Sequence, residues 1–412
     1  MNILILSQYF PPETGAPQNR LHSLALHLAK LNCKVEILTA MPNYPKMEIH
    51  HDYKNTFYRL EKDGPLTIYR SWIFTKKSYN IIYRLLNYFS FVLSSILVGL
   101  FKIKRQDIIL CESPPLFLGI TGLILKLSKG AKLVFNVSDL WPESAEKLGI
   151  IKSKLLLKLS YNLESLLYRK SVLVTCQTQG IVKNIINRFP KVTTYWLPNG
   201  IDFKYHKTNS VINKLRARLN LSKNDFVLVY AGVMGYAQGL ETVIVAAEAL
   251  KAQSEIKFLL IGDGPEKTKL IKLAQNKELR NLVFLPHKPR NEVLRIISAC
   301  DSYIVPLKKN ELFMSAIPSK LFEPLAMGKP ILLGVDGEAR QLFIERGNCG
   351  LFFEPENAAE LTQCINVLVN NKSLAKEMGE KGRQFVTEHF DRQNIAIEFY
   401  HELERLIVIK NP

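Results

Sequence analysis

Apolar runs in the first half of the chain alternate with a helical pattern of apolar positions. Residues 2–7 form a short apolar run, a Pro/Gly-rich loop covers residues 11–17, and apolar positions recur with helical spacing from Gln18 to Leu31. A second apolar run spans Lys34 to Thr39. This strand–loop–helix–strand order predicts the opening βαβ unit of a parallel sheet. Further strands are predicted at 107–111, at 131–137 and near 171–176.

The same alternation starts again after residue 224, which predicts a second domain. Residues 225–232 read as a strand that runs into a glycine turn, and a helix is predicted from Leu240 to Gln253. The next strand, 256–261, ends at Gly262, and another helix is predicted after Pro265. Later strands are predicted near 282–285, 302–305 and 330–333, and closing helices near 357–370, 372–388 and 391–408.

A turn-forming segment separates the two halves of the pattern. Residues 196–202 read Trp-Leu-Pro-Asn-Gly-Ile-Asp, which favours a turn. A chain of 412 residues also suits two α/β domains better than a single core. We therefore predict two Rossmann-like, doubly wound parallel-sheet domains of the α/β class, at 1–198 and 199–390, facing each other across a cleft. The last helix, 391–412, is expected to pack back on the first domain.

Composition describes an ordinary globular protein of a reducing compartment. Hydrophobic residues make up 47% of the chain and charged residues 22%. The 6 cysteines are scattered without a C-x-x-C pair, which argues against a zinc site and a disulfide framework. Met1 and Asn2 lead directly into the first strand, so we expect no signal peptide and a cytoplasmic location.

The formal charge of +18 is distributed unevenly. Residues 1–200 hold 26 Lys/Arg against 12 Asp/Glu, and the remaining residues hold 29 against 25. The excess is therefore +14 in the first half and +4 in the second. A basic surface attracts nucleic acid, anionic lipid or a phosphorylated substrate, and the asymmetry places that partner on the first domain. The alternative is charge that serves solubility alone.

Residues 81–101 are strongly apolar but interrupted by Arg84 and Asn87. The uninterrupted part, Tyr88 to Phe101, has 14 residues, whereas about 20 are needed to span a bilayer. Basic residues flank the stretch on both sides. Two interpretations stay open: a helix buried against the sheet, or a basic-flanked helix that lies in the membrane interface.

The loop at Gly15 is the first candidate site. Glycine lets a backbone approach a phosphate closely, and the amides that open the next helix present the positive end of its dipole to an anion. Arg20 is predicted in the first turn of that helix, where it would add a charge. A tight turn without a ligand is the alternative, because the spacing is not G-x-G-x-x-G.

The second candidate follows the strand predicted at 131–137. Ligands bind at the carboxyl ends of parallel strands, and Asp139, Trp141 and Glu143 lie there. They would supply a carboxylate, a surface on which a sugar stacks and a second hydrogen-bonding acid. Helix capping by Asp139 or Ser144 is the alternative.

The third candidate is the segment 315–330, where a loop runs into a helix. Lys320 and Glu323 lie three residues apart, so they fit one helix face. A lysine there can neutralise a diphosphate, and a carboxylate can hold two ribose hydroxyls. The alternative is an exposed ion pair between the two residues. The sequence contains neither a D-x-D string for a metal nor a G-x-x-x-x-G-K-[ST] loop.

Five segments together resemble the retaining glycosyltransferases of family 4, which have the GT-B fold. The segments are Ser7 to Glu13, Asp139 to Ser144, Leu197 to Asp202, Ala237 to Leu240 and Pro318 to Glu323. The resemblance covers nearly the whole chain. It is closest to the bacterial WbuB-like transferases of an amino-deoxyhexose such as N-acetyl-fucosamine in surface-polysaccharide assembly.

The resemblance implies no cofactor, but a nucleotide-sugar co-substrate, a UDP-sugar, bound by the second domain. The acceptor, a polyprenyl-diphosphate-linked saccharide, is expected on the first domain, with peripheral contact to the anionic inner face of the plasma membrane and no nucleic acid. Catalysis is assigned to Asp139, Lys320 and Glu323. Donor binding is assigned to Gly15, Gly232, Gly262, Ser315, Pro318, Ser319, Lys320 and Glu323, acceptor binding to Arg20, Asp139, Trp141 and Glu143, and metal binding to no residue.

The chain departs from the family pattern at several positions. The first of two family glutamates is Ser315 here, the usual diphosphate-binding Arg and Lys fall near Tyr236 and Gln238, and a frequent histidine is Ser138. These departures leave Lys320 as the best remaining cation. Two other functions remain open: a sugar-nucleotide epimerase of the same fold, and a membrane-bound scaffold that has lost donor binding.

Overall fold

The computed structural model of the protein describes residues 1–44, 47–78, 81–147, 149, 151, 153–203 and 212–408. The chain forms two compact units. Unit 1 comprises Met1–Asn199 together with Arg392–Pro412, and unit 2 comprises Gly200–Asp391.

The described part of unit 1 contains an eight-stranded sheet. Its strands are β1 (Asn2–Leu6), β2 (Lys34–Ala40), β3 (Tyr58–Asp63), β4 (Leu66–Ser71), β5 (Ile108–Ser113), β6 (Lys132–Val137), β7 (Leu173–Cys176) and β8 (Thr194–Trp196). The strand order is β3-β4-β2-β1-β5-β6-β7-β8. All pairings are parallel except that of β3 with β4, an antiparallel hairpin at the sheet edge.

Helices cover both faces of this sheet. They are α1 (Ala16–Lys30), α2 (Ile81–Lys102), α3 (Leu118–Lys129), α4 (Glu143–Lys147), α5 (Lys154–Lys170) and α6 (Gln179–Arg188). α2, α3, α5 and α6 pack into one apolar core on the first face, and α1 packs into a second core on the other. Buried strands such as β1 are apolar throughout because both of their faces meet helices.

Unit 2 repeats the architecture with a six-stranded, all-parallel sheet in the order β11-β10-β9-β12-β13-β14. The elements are α7 (Ile212–Arg218), β9 (Phe226–Ala231), α8 (Glu241–Ala249), β10 (Ile256–Ile261), α9 (Lys267–Asn276), β11 (Leu282–Leu285), α10 (Arg290–Ala299), β12 (Ser302–Pro306), α11 (Phe322–Ala326), β13 (Ile331–Gly334), β14 (Gly350–Phe352), α12 (Ala358–Asn370) and α13 (Lys372–His389). A π-helical segment spans Arg340–Arg346.

The last helix, α14 (Arg392–Val408), belongs to unit 1, where it packs on α1. Ala396, Phe399 and Leu403 are fully buried in the core on that face of the sheet. Residues 409–412 of the predicted closing helix lie outside the described residues.

Candidate active site

In unit 2 the strand order reverses between β9 and β12. β9 pairs with β10 on one side and with β12 on the other, and both pairings are parallel. Ligands of open α/β sheets bind outside the carboxyl ends of the strands at such a switch point. Gly232 follows β9 and Lys308 follows β12, so the loops at these two residues border the candidate site.

The glycines after β9 and β10 allow two loops to approach each other. A Cβ atom at Gly262 would lie 1.9 Å from the Gly232 carbonyl oxygen, and Gly262 has a φ of +145°, so only glycine fits there. At Gly232 a Cβ atom would lie 3.4 Å from Lys320 Nζ. The absent side chain of Gly232 therefore leaves room for the Lys320 ammonium group at the end of β9.

Lys320 carries the charge of this site. It lies in the 3-10 turn Ser319–Leu321, and its Nζ donates to the Tyr230 hydroxyl (3.0 Å) and to Gln238 Oε1. Nζ also lies 4.4 Å from the centroid of the Tyr230 ring. Burial lowers the pKa of Lys320 to about 7, and no carboxylate of the described residues pairs with it. Burial disfavours the charged form of this amine, so an anionic ligand beside it would stabilise the ammonium form.

A second lysine lies near the first. Lys308 Nζ is 3.6 Å above the ring of Tyr236, and the Lys308 amide donates to the carbonyl of Ala237 (3.0 Å). Tyr236 and Gln238 belong to one 3-10 turn, so the two ammonium groups contact the same short segment. Lysines from two other segments thus lie beside Tyr236 and Gln238, the positions near which the resemblance to family 4 implies cations.

Glu323 does not pair with Lys320. Its Oε1 accepts from Arg290 Nε (2.8 Å) and from Arg290 Nη2 (2.7 Å), whereas Oε2 accepts no hydrogen bond from a described residue. Glu323 lies in α11 and Arg290 is the first residue of α10. The expected alternative of an i,i+3 ion pair between Lys320 and Glu323 is wrong, because each side chain has a different partner.

The loop before Lys320 is fixed at the carboxyl end of β13. The Glu338 amide donates to the Met314 carbonyl (2.8 Å), and Ser315 follows in the partly buried stretch 315–320. Pro318 precedes the 3-10 turn, so the amides of Ser319 and Lys320 open that turn. Amides at the start of a helical turn lack intrahelical acceptors and are available to an anion.

In unit 1 the strand order reverses between β1 and β5. The loop after β1 ends at Gly15, where α1 begins; a Cβ atom at Gly15 would lie 2.4 Å from Gln18 Oε1. Gln18 is buried, and its Oε1 accepts no hydrogen bond from any residue that the structure describes. A buried, unsatisfied acceptor favours a donor such as a ligand hydroxyl.

Arg20 is fully engaged within unit 1. Its Nη2 donates to Glu112 Oε1 (2.6 Å) and to the Ser138 hydroxyl (3.0 Å), and both members of the Arg20–Glu112 pair are buried. Asn136 Nδ2 donates to the other oxygen of Glu112 (2.6 Å). Since helix α1 begins at Ala16, Arg20 lies in its second turn rather than its first. The charge of Arg20 is therefore compensated by Glu112.

Glu13 connects two loops of unit 1. Its Oε1 accepts from the amides of Asn43 (2.6 Å) and Tyr44 (2.7 Å), and its Oε2 accepts from the amide of Phe10 (3.3 Å). Burial raises the pKa of Glu13, although these amides act in the opposite direction. The carboxylate thereby orders the loop after β1 against the loop after β2.

The segment after β6 holds the other candidate residues of unit 1. Ser144 donates to Asp139 Oδ1 (2.7 Å), and burial raises the pKa of Asp139 above its usual value. Trp141 packs edge-on against Phe117, with ring centroids 5.3 Å apart. Glu143 pairs with Lys147 (2.7 Å). Of the two carboxylates, Asp139 is the one less engaged by positive charge.

Several side chains of the site were not predicted from sequence. Tyr230, Lys308 and Arg290 lie 90, 12 and 33 residues from the side chains that they complete, Lys320 and Glu323. No local motif marks them. The sequence contains one indication of them, because Gln238 stands near a position where the resemblance to family 4 implies a cation.

The two parallel-sheet α/β units have the GT-B fold. Sucrose-phosphate synthase from Thermosynechococcus elongatus superposes with a TM-score of 0.77 at 16% identity, covering 99% of this chain and 100% of that one. HepE from Anabaena, solved with UDP and glucose, superposes with a TM-score of 0.71 at 19% identity, covering 98% and 100%. The predicted fold class is confirmed.

The sequence places the chain among known domains. Residues 18–205 match Glycosyltransferase Family 4, and residues 211–385 match Glycosyl transferases group 1. The chain is similar to the putative colanic acid biosynthesis glycosyl transferase WcaI of Escherichia coli K12, with 26% identity over 415 residues that cover 98% of this chain and 100% of WcaI. The protein is therefore a glycosyltransferase with a family-4-type domain and a group-1-type domain.

Proposed function

We propose that the protein transfers a sugar, with retention of anomeric configuration and without a metal ion, from a UDP-sugar to a lipid-linked saccharide. The observation that carries the proposal is Lys320, a lysine at the switch point of unit 2 that has no carboxylate partner among the described residues. A nucleotide sugar contains a diphosphate that can compensate its positive charge.

Lys320 acts mainly on the leaving group. Negative charge builds on the diphosphate as the glycosidic bond breaks, so a positioned cation stabilises the transition state more than the ground state. The ammonium group of Lys308 and the amides of Ser319 and Lys320 add to this stabilisation. The positive charge that a metal would otherwise provide thus comes from the chain itself.

Glu323 positions the nucleoside. Arg290 holds one carboxylate oxygen, so the other is oriented and available to accept from ribose hydroxyls. A charged acceptor strengthens such hydrogen bonds.

Asp139 receives the acceptor hydroxyl. Its raised pKa makes it a better proton acceptor than an exposed aspartate, and Trp141 offers an apolar surface beside it. Gln18 Oε1 gives a second acceptor for a sugar hydroxyl near Gly15.

The likeness to WcaI, which is named for colanic acid biosynthesis, supports a role in surface-polysaccharide biosynthesis. The donated sugar in this proposal is an amino-deoxyhexose, which rests on the resemblance to the WbuB-like transferases alone. The acceptor in this proposal is a polyprenyl-diphosphate-linked saccharide, met at the cytoplasmic face of an anionic membrane. The +14 balance of the first 200 residues suits both the diphosphate of that acceptor and the membrane.

Purified protein incubated with a panel of UDP- and GDP-sugars tests the proposal. Turnover should require both a UDP-sugar and a saccharide acceptor, and proton NMR should show the donor's anomeric configuration in the product. Conversion of the donor without acceptor would identify an epimerase, and absence of nucleotide binding in calorimetry would identify a scaffold.

A second experiment, with a chelator, tests whether the transfer is independent of a metal ion. Among the described residues no cluster of three or more His, Cys, Asp or Glu side chains could hold a metal ion. Turnover should be unchanged in EDTA. Loss in EDTA that magnesium or manganese restores would overturn this part of the proposal.

A further inference from the structure

Helix α2 presents large apolar side chains outward. Leu86, Phe89, Leu93, Leu97 and Phe101 follow one another at intervals of three or four residues, so they form one apolar ridge along the helix. All five are exposed, Leu93 by 66% and Phe101 by 79%. A contiguous exposed apolar surface marks an interaction site.

Some uncharged polar side chains of α2 point into unit 1. Asn87 Nδ2 donates to the Phe74 carbonyl (2.6 Å), and Ser94 Oγ donates to Ser71 Oγ (3.1 Å). α2 also buries apolar side chains, among them Phe91 and Val98, so the helix is apolar on both its inner and its outer side. A helix that meets water normally has polar residues on its outer side. The apolar outer side of α2 therefore points to an apolar medium there.

Positive charge surrounds the apolar ridge. Arg84, Lys102, Lys104 and Arg105 are exposed at its two ends. Residues 64–138 contain ten Lys/Arg and two Asp/Glu. This segment thus supplies +8 of the +14 excess in the first 200 residues.

The helices beside α2 also expose apolar and basic side chains. α2, α3 and α5 pack on the same face of the sheet. Leu127 of α3 and Leu155 and Leu159 of α5 are exposed, and Lys154 and Lys158 are exposed on α5. The outer side of this helical layer is therefore apolar and basic over more than one helix.

We propose that the apolar ridge of α2 lies in the plane of an anionic membrane surface, with its basic flanks on the lipid headgroups. The proposal rests on the lipid-linked acceptor of the proposed function and names the surface that meets the lipid. By length and a hydropathy of 1.6, α2 is a candidate membrane span. A crossing would break the hydrogen bonds of Asn87 and Ser94, whereas an in-plane helix keeps them.

Charge complementarity favours a membrane over a second copy of the chain. A two-fold interface on this face would place one basic surface against another. Anionic headgroups neutralise the same charges, and the acyl boundary takes up the leucines and phenylalanines.

Vesicle flotation tests the proposal with the full-length protein. The wild type should bind phosphatidylglycerol-containing vesicles, less strongly at high salt, and bind phosphatidylcholine vesicles weakly. Leu93→Glu combined with Phe101→Glu should reduce the bound fraction about tenfold or more, because two carboxylates oppose insertion. The matched control is Val245→Glu combined with Val367→Glu, two exposed valines on helices of unit 2, which should bind like the wild type.

Three further outcomes decide the proposal. The Phe101→Trp variant should show blue-shifted tryptophan fluorescence with anionic vesicles, and an unchanged emission would overturn insertion. Unreduced binding of the Leu93→Glu/Phe101→Glu variant would also overturn it. So would light scattering in which the wild type is a dimer and this variant is a monomer. Transfer to a water-soluble acceptor should persist in that variant; absence of transfer in the wild type would count against the proposed function, not against this surface.

Discussion

The two units place a cation near the carboxyl end of each sheet, but they treat its charge in opposite ways. In unit 1, Arg20 is buried in a pair with Glu112. In unit 2, Lys320 contacts a tyrosine hydroxyl and an amide oxygen and has no carboxylate partner among the described residues. A buried pair whose charges compensate each other needs no ligand, whereas a partly buried cation without a carboxylate partner prepares a site for an anion.

Net charge alone would have placed the anion-binding site in unit 1. The first 200 residues have an excess of +14 and the rest only +4, yet the partly buried cation without a carboxylate partner lies in the nearly balanced half. The excess of the first half lies largely on the surface, where it suits a membrane. The charge at a binding site thus depends on the pairing of a few side chains.

The largest expected effect concerns Arg20, and it is an effect on stability. Arg20→Met leaves Glu112 buried without its cation, so the free energy of unfolding should fall by about 3–5 kcal/mol. Denaturant titration measures this change. Combining Arg20→Met with Glu112→Gln should restore much of the loss, because no unpaired charge remains. An unchanged stability of Arg20→Met would contradict the structural role of the pair.

Lys320→Met should have the next largest effect, and on turnover. Loss of the charge that stabilises the leaving diphosphate should lower turnover by roughly 10²–10³, the scale of losing one oxyanion donor. The free energy of unfolding should not fall, since an uncompensated amine is removed. Lys308→Met should have a smaller effect on turnover, because its ammonium group rests on the exposed ring of Tyr236.

Lys309→Met is the matched control for both lysines. Lys309 is exposed in an ion pair with Glu354, and such pairs contribute little, so turnover should be normal. Near-normal turnover of Lys320→Met would remove Lys320 from catalysis and direct attention to Lys267 and Lys269 after β10.

Glu323→Gln should weaken nucleotide binding while the fold stays intact. Loss of a charged hydrogen-bond acceptor costs about 1.5–3 kcal/mol, which calorimetry with UDP would detect as a fall of roughly 10- to 100-fold in affinity. Glu292→Gln, in an exposed pair with Lys288, provides the control with unchanged affinity. Equal affinities of the two variants would place Glu323 outside the site.

The strands were predictable from sequence where both faces are buried. The run 256–261 coincides with β10 because every residue in it but one is buried. β3 was missed, since this edge strand reads Tyr-Arg-Leu-Glu-Lys-Asp and is largely exposed. β4 was missed although it is largely buried, because its apolar residues alternate with polar ones, and β8 and β14 have only 3 residues each. Helix α1 begins two residues earlier than predicted, because Pro17 suits the first helical turn.

The candidate site was predictable only in its local part. Lys320 and Glu323 stand in one recognisable segment, but their spacing suggested a shared helix face. Lys320 instead lies in a 3-10 turn and Glu323 in α11, so they contact different partners. Those partners lie up to 90 residues away, and only the sheet topology brings them together.

The smallest expected effect is the change in donor affinity with each pH unit, which arises because donor binding is coupled to the uptake of a proton. The pKa of Lys320 is about 7 in the free protein, because burial disfavours its charged form. A bound diphosphate favours the charged form, so affinity for a UDP-sugar should be constant below pH 7 and should fall above it, by up to about tenfold per pH unit. A UDP-sugar is the required probe, because UDP itself has a phosphate proton that titrates near pH ~6. Calorimetry in two buffers of different ionisation enthalpy measures the uptake.

The contribution of Lys320 to stability should rise with pH, whereas donor affinity falls. The pKa of Lys320 is about 7 in the folded protein, against 10.5 for an ordinary lysine. Between these values the unfolded chain binds more protons than the folded one, so the contribution of Lys320 to stability rises with pH. Lys320→Met should abolish both dependences, and Lys320→Arg, which stays charged, should abolish the fall in affinity. Proton uptake that persists in Lys320→Met would assign the titration to another group and break the contrast between the two units.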